Sequence, residues 1–179
     1  MIYKVLKSLF SIAVNMLVMG VANPSGEADS YNGLYFTQQE LNSLTTAHKL
    51  NNVPVKAEHK GNAVGHIVSS FVDDQGKLNC IMHINENEVE GAVCAGLVRD
   101  GIAAELSLGY QVDVQHSDNG EKLQAGEKHV LEVSLVRKGA REACYITAYE
   151  EDNGQTKFTR RRQHMEAGEP DAWKCFDLS

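Results

Sequence analysis

The sequence predicts an α+β fold that is mainly β, either a curled sheet or a closed β-barrel, surrounded by a few α-helices. Two observations lead to this prediction. Most apolar segments have the length and alternation of strands, and short polar turns connect several of them. Hydrophobic residues make up 42% of the 179 residues, which is enough for one domain with a substantial core.

The first 22 residues fit two structures. Lys4 and Lys7 precede an apolar run that ends in small residues at 20–22, which is the pattern of a signal peptide. The same run also fits a buried strand over about residues 12–22. Polar residues interrupt it, and it is too short for a transmembrane helix. Taken alone, the pattern slightly favours a signal peptide.

Two helices are predicted from their start signals. Thr37 and Glu40 form a capping box that opens a helix ending near His48. A second helix is predicted to start at Asn85 or Glu88 and to end near residue 98.

The predicted strands lie between turn residues. Val53-Pro54-Val55 begins an extended segment, because proline disfavours helix in the residue before it. Further strands are predicted at 63–72, 77–84, 102–114, 129–136 and 142–149, with a hairpin turn at 73–76 and a polar loop at 115–127.

A fall in apolar density after residue 150 divides the chain. Residues 1–150 are predicted to form the main domain, and residues 151–179 a tail that is either a helical dimer element or a linker. The tail contains Arg160–Arg162, a short basic run of a kind that is usually solvated and less often binds nucleic acid. The net charge of −7 argues against broad nucleic-acid binding, which needs a basic face.

The cysteines Cys80, Cys94, Cys144 and Cys175 do not have the C-x-x-C spacing of zinc ribbons or redox motifs. In a chain with a sizeable core, buried free thiols are expected rather than a disulfide framework. The pattern indicates a reducing compartment.

Three short segments hold residues suited to nucleophilic chemistry. The segment 53–59 ends in His59, where a strand gives way to a loop, and Ser107 lies in an apolar strand. A third strand begins with His129 and ends with the basic pair Arg137-Lys138. Each of these features alone is more common as an ordinary structural or surface residue.

Taken in order, the three segments resemble the assemblins, the capsid-maturation proteases of herpesviruses, and the related prohead proteases of tailed phages. Segment 53–67 resembles the assemblin stretch in which apolar-Pro-apolar residues lead to a histidine and a Val-Gly-His run follows. Ser107-Leu108 resembles the Ser-Leu motif, and 128–139 resembles the Lys-His-Val strand that ends in an Arg-Arg-Gly turn. The resemblance covers about residues 12–149, and it favours a strand over a signal peptide in residues 12–22.

The resemblance implies a serine endopeptidase that cleaves the internal scaffold protein and its own precursor during capsid maturation. Ser107 would be the nucleophile, His59 the general base and His129 the residue that orients His59. The phage relatives use an acidic third residue, so Glu132 is the reserve candidate. Strand alternation predicts that residues 129 and 132 face opposite sides of the sheet.

The resemblance also implies an oxyanion site, partners and a location. The backbone N–H of Arg137 and the side chain of Lys138 would stabilise the oxyanion. The family implies a homodimer that acts on a scaffold or capsid precursor, with no cofactor, no metal, and no nucleic-acid or membrane partner. It places the enzyme in the procapsid inside the infected cell, in the nucleus for a herpes-like virus and in the cytoplasm for a phage.

Four other functions stay open at this point. A metal site would draw on His59, His66, His83, Glu58 and Glu86, although their spacing matches no metal motif. A cysteine enzyme would use Cys94, which lies in an apolar helix. An inactive capsid-scaffold protein would keep the same fold, and a secreted binding module would require the removal of residues 1–22.

Overall fold

The computed structural model of the protein describes residues 16–24, 34–115, 124–141, 143–151, 154–159 and 175–177. Within these ranges the chain forms nine strands and two helices, and the prediction of a mainly β, α+β fold is confirmed. In chain order the elements are β1 (Met16–Asn23), α1 (Gln38–Thr46), β2 (Pro54–Ala57), β3 (Lys60–Val72), β4 (Leu78–Ile84), α2 (Val89–Arg99), β5 (Glu105–Gln115), β6 (Gln124–Val136), β7 (Ile146–Glu151), β8 (Thr156–Thr159) and β9 (Cys175–Asp177).

All nine strands belong to one curled sheet with the order β5-β6-β2-β3-β4-β1-β7-β8-β9. Two backbone hydrogen bonds bring the start of β5 beside the start of β7. Leu106 N–H donates to the carbonyl of Cys144 at 3.2 Å, and Ile146 N–H donates to the carbonyl of Ala104 at 3.0 Å. The described strands do not close into a barrel, because β5 and β9 are the two edges of this order and only an isolated bridge, Glu105 with Tyr145, joins β5 to the β7 side.

The strand β1 lies in the middle of the sheet, paired with β4 on one side and with β7 on the other. Its side chains Met16, Val18 and Ala22 are fully buried. A Cβ at Gly20 would lie 2.6 Å from the carbonyl oxygen of Tyr145, so glycine lets β7 approach at this point. Removal of residues 1–22, as a signal peptide would require, would open the sheet between β4 and β7.

The first helix begins with the predicted capping box. Thr37 N–H donates to the Glu40 carboxylate at 2.7 Å, and the Thr37 hydroxyl accepts from Glu40 N–H at 3.2 Å. The helix ends at Thr46, two residues before the predicted end, and the chain adopts a positive φ of 51° at His48. No helix in the described part of the chain is long and apolar enough to cross a membrane.

The core lies between the inner face of the sheet and the two helices. It receives Leu41 and Leu44 from α1, and Cys94, Ala95 and Val98 from α2. Because apolar burial is the main force that stabilises a fold, these contacts fix both helices on the sheet.

Within the predicted tail, residues 151–179, the structure describes two short strands: β8 pairs with β7, and β9 pairs with β8. Neither described part is a helical dimer element or a free linker, because both extend the sheet of the main domain. The basic run Arg160–Arg162 lies outside the described residues.

Candidate active site

The turn between β2 and β3 carries His59. Ala57 pairs with Lys60, so Glu58 and His59 form a two-residue hairpin loop with φ angles of 50° and 59°. Two positive φ angles are the signature of a type I′ turn, which normally uses Asn and Gly. Larger side chains make this backbone strained, and such strain concentrates at functional sites. The turn is held on β6 by Glu58 N–H, which donates to the carbonyl of Leu135 at 3.1 Å.

A carboxylate on β6 contacts the imidazole of His59. Glu132 Oε1 lies 2.6 Å from His59 Nδ1, and Lys56 Nζ lies 3.4 Å from Glu132 Oε2. The Glu132 side chain is only 11% exposed, whereas that of His59 is 44% exposed. An ionised Glu132 can only accept, so Nδ1 carries the hydrogen and neutral His59 offers Nε2 as a base.

Two opposing effects act on Glu132. Burial, the largest single effect, would raise the pKa of this carboxyl, but the hydrogen bonds from His59, Ser134 and Lys56 and the charge of His59 together hold the pKa below its usual value. Glu132 is therefore ionised at neutral pH. A buried carboxylate on Nδ1 is the arrangement that orients the general base in Ser-His-Asp enzymes.

The nucleophile candidate lies in the neighbouring strand. Ser107 on β5 is directly opposite Ser134 on β6, and Lys56 on β2 pairs with Ser134 from the other side. Directly opposed side chains point to the same face of a sheet, so Ser107, Ser134 and Lys56 lie side by side on one face. Ser107 is therefore next to Ser134, which contacts His59. Ser107 is 5% exposed, and among the described residues no hydrogen bond joins its hydroxyl to His59.

Gly109 makes room for the carboxylate. It pairs with Glu132 across β5 and β6, and a Cβ at this position would lie 2.6 Å from Glu132 Cγ. A side chain at 109 would therefore push Glu132 away from its present position.

His129 lies elsewhere on β6. Its Nε2 is 3.2 Å from Asp113 Oδ2, and both side chains are about half exposed. The structure therefore brings Glu132, the reserve candidate, to His59, and it does not bring His129 there.

The prediction that residues 129 and 132 face opposite sides was wrong, because β6 contains an irregularity. Val130 pairs with Tyr110 and Glu132 pairs with Gly109, which leaves Leu131 as an extra residue. Val130 and Val133 both pack against the core, three residues apart, so the alternation changes phase at this bulge. The alternation of residues within one strand cannot predict such an inserted residue, because the bulge depends on the pairing with β5.

The predicted oxyanion donors lie in the loop after β6. Arg137 N–H donates to Glu58 Oε1 at 3.0 Å, and Arg137 Nε lies 3.6 Å from the same oxygen. Lys138 is exposed. Gly139 N–H donates to the carboxylate of Glu105 on β5. The loop is thus anchored beside the site, but the N–H of Arg137 is occupied by a carboxylate of the protein itself.

The described residues do not support the alternative metal site or the alternative cysteine enzyme. Among the described residues no group of three His, Cys, Asp or Glu side chains could hold a metal ion. Cys94 is buried, and burial raises the pKa of its thiol to about 11, so it is not a thiolate at neutral pH. Cys80 and Cys144 are likewise buried, and none of the three forms a disulfide.

The sequence pattern does not mark Ser134 and Lys56 as neighbours of His59, and it marks Glu58 only as a candidate for the alternative metal site. One signal for the first was present, because Glu132 and Ser134 are polar residues two apart within an apolar strand. That spacing puts both side chains on one face, next to each other. The contacts of Lys56 and Glu58 depend on the parallel pairing of β2 with β6, which no local pattern predicts.

Comparison with known proteins gives matches among solved structures only. No family model and no curated protein matches the chain. A complex of the Kaposi's sarcoma-associated herpesvirus protease with a hexapeptide phosphonate inhibitor is similar with a TM-score of 0.47 and 15% sequence identity, covering 76% of this chain and 66% of that one. A complex of the same viral protease with an allosteric inhibitor is similar with a TM-score of 0.48 and 15% identity, covering 76% of this chain and 78% of that one.

Proposed function

We propose that the protein is a serine endopeptidase in which Ser107 is the nucleophile, His59 the general base and Glu132 the residue that orients the base. The observation that supports this proposal most is the 2.6 Å contact between His59 Nδ1 and the buried Glu132 carboxylate. The order of the three motifs in the sequence supports it independently, because it resembles that of the assemblins and prohead proteases.

The proposed residues act in sequence on a peptide bond. Ser107 Oγ attacks the carbonyl carbon while His59 Nε2 takes the hydroxyl proton, since a serine hydroxyl is a weak nucleophile without an adjacent base. The ionised Glu132 stabilises the imidazolium that forms. His59 then gives the proton to the leaving amine, and a water molecule activated by His59 releases the acyl group from Ser107.

The oxyanion that develops in this reaction needs hydrogen-bond donors. The backbone N–H of Arg137 and the side chain of Lys138 remain the proposed donors. For the Arg137 N–H to act as an oxyanion donor, the Glu58 carboxylate must first move away from it. Glu58 has room to move, because it is a partly exposed turn residue.

The biological substrate proposed for this site is the internal scaffold protein of a viral procapsid, together with the enzyme's own precursor. The enzyme would act as a homodimer inside the procapsid in the infected cell, and no cofactor enters the mechanism. These assignments come from the sequence resemblance. They would be tested by incubating the purified chain with the scaffold protein of its own virus and determining the cleavage sites by mass spectrometry.

The nucleophile is tested with a fluorescent fluorophosphonate, which reports on an activated serine without requiring the substrate. Ser107 Oγ displaces fluoride from phosphorus, and His59 takes the proton. We expect one labelled residue, Ser107, and complete loss of labelling in Ser107→Ala. Ser69→Ala, a serine substitution on β3, is the matched control and should label at the normal rate.

Two results would contradict the proposal. Labelling that persists in Ser107→Ala would mean that another residue is the nucleophile. A folded wild-type chain without any labelling would favour the inactive capsid-scaffold protein over the enzyme.

A further inference from the structure

Ser134 is a buried hydroxyl with two polar contacts, and both belong to the candidate active site. It is 0% exposed, its Oγ accepts from the backbone N–H of His59 at 3.1 Å, and it donates to Glu132 Oε1 at 3.0 Å. The same carboxylate oxygen contacts His59 Nδ1 at 2.6 Å. The three residues therefore form a closed hydrogen-bonded ring that joins the backbone of the base, a hydroxyl, a carboxylate and the imidazole.

The ring acts at the strained part of the backbone. His59 has a φ of 59°, which a non-glycine residue adopts only when its surroundings hold it there. The bond from His59 N–H to Ser134 is the contact that ties this residue's own backbone to β6. The neighbouring bond from Glu58 N–H to Leu135 fixes the turn, but not the direction of the imidazole.

Ser134 is unsuited to be the nucleophile. Its proton is donated to a carboxylate rather than to an imidazole nitrogen, and its oxygen is occupied by a backbone N–H and shielded from solvent. A reacting hydroxyl needs an adjacent base to take its proton, and a carboxylate whose pKa is lowered is a poor base for a serine. Both bonds of Ser134 suit a residue that holds others in place.

We propose that Ser134 is the positioning residue of this site: it locks the backbone of His59 and the carboxylate of Glu132 in one mutual geometry. This inference rests on the proposed function, in which these two residues are base and orienting acid. Pre-organised supporting bonds of this kind keep catalytic groups within a few tenths of an ångström of their working positions. Because Ser134 is fully buried and its hydroxyl is bonded on both sides, it acts through His59 and Glu132 and not on the substrate itself.

The first measurement is the rate at which the fluorophosphonate labels Ser107. We expect Ser134→Ala to lower this rate about 10- to 100-fold, because the base loses its fixed direction. Ser134→Thr, which keeps the hydroxyl, should restore most of the rate. The matched control is Thr147→Val, which removes another buried hydroxyl, one that donates to the Met19 carbonyl away from the site. This control should label within about twofold of the wild type.

The second measurement is the titration of the Glu132 carboxyl carbon by NMR in glutamate-labelled protein. The Ser134 hydroxyl favours the ionised form, so Ser134→Ala should move the titration midpoint of Glu132 upward. Among the described residues the charged groups in contact with Glu132 are His59 from the turn and Lys56 from β2, and its pairing partner on β5 is Gly109. These groups are unchanged in the variant. Thr147→Val should leave the midpoint unchanged.

The results separate the possible failures. A labelling rate in Ser134→Ala equal to that in Thr147→Val would overturn the positioning role. A lower rate with an unmoved Glu132 midpoint would also overturn it, because the effect would then be one of general packing. If the wild type is not labelled at Ser107, the proposed function fails. The Glu132 midpoint still decides whether Ser134 holds the carboxylate.

Discussion

Two histidine–carboxylate pairs involve the same strand, β6, and they differ in distance, in the burial of the carboxylate and in its further contacts. His59 contacts Glu132 at 2.6 Å, and that carboxylate is 11% exposed and also accepts from Ser134. His129 contacts Asp113 at 3.2 Å, and both side chains are about half exposed. Exposed ion pairs contribute little because water and salt screen them. The buried, supported carboxylate therefore distinguishes the candidate active site from an ordinary surface pair.

His129 was the first candidate for the third residue because of its position in the sequence. In the linear sequence His129 occupies the position that the assemblin pattern gives to the third residue, while Glu132 fits the phage enzymes. Because of the bulge at Leu131 the two residues share a face of β6, but Glu132 pairs with Gly109 and His129 with Gln111, farther along β5. Their position along the strand, and not the face, brings Glu132 rather than His129 beside the turn of His59.

The largest effect is expected when the orienting carboxylate is removed. Glu132→Gln should lower the rate of Ser107 labelling by the fluorophosphonate about 10²- to 10⁴-fold, because the acid of a serine triad typically contributes on this scale. Asp113→Asn and His129→Ala make matched changes in the exposed pair and should alter the rate less than twofold. If His129→Ala instead costs as much as Glu132→Gln, His129 is the third member and the comparison is reversed.

A smaller effect is expected when the carboxylate is displaced rather than removed. Gly109→Ala places a Cβ 2.6 Å from Glu132 Cγ, so the side chain must shift and its contact with His59 must lengthen. Overpacking of this kind costs about 1–3 kcal/mol, and the labelling rate should fall about 10-fold.

The control for this prediction is Gly96→Ala on α2, where a Cβ would meet no atom within 4 Å. This change should raise the free energy of unfolding by roughly 0.5–1 kcal/mol, since glycine is a poor helix former, and it should leave labelling unchanged. An unaltered labelling rate in Gly109→Ala would mean that the position of Glu132 does not matter for the base.

Much of the fold follows from local sequence signals. The capping box of Thr37 and Glu40 starts α1 at the predicted residue, and the hairpin turn at 73–76 joins β3 to β4. The limits lie in long-range pairing. Nothing local to residues 156–159 or 175–177 shows that these short segments extend the sheet beyond β7. A strand of three or four residues is defined by its partner rather than by its own pattern.

The candidate site was predictable to a smaller extent. Motif order identified His59 and Ser107, and the acidic third residue of the phage relatives identified Glu132 as the reserve candidate, but the placement of the three residues depends on pairings between distant strands. The parallel pairing of Lys56 with Ser134 brings the β2–β3 turn onto β6, and the antiparallel pairing of Ser134 with Ser107 adds the proposed nucleophile. The contact of Glu58 with the N–H of Arg137 has the same origin.

The smallest effect is expected at this last contact, and it tests the oxyanion donor. Glu58→Gln keeps the size of the side chain but removes its charge, and hydrogen bonds to a charged group are roughly twice as strong as neutral ones. The N–H of Arg137 should then be released more readily to the phosphoryl oxygen of the fluorophosphonate. The labelling rate should rise about two- to fivefold, which corresponds to about 0.4–1 kcal/mol.

Asp74→Asn is the matched control for Glu58→Gln, because it makes the same change of charge in the exposed turn between β3 and β4, at the far end of β3 from His59. It should leave the rate unchanged, since an isolated surface charge at that distance is screened. If Glu58→Gln lowers the rate instead, Glu58 serves mainly to hold the turn, and the backbone N–H of Arg137 is a structural donor. The oxyanion would then need donors outside the Arg137-Lys138 pair, and the likeness of this loop to the Arg-Arg-Gly turn would be one of sequence alone.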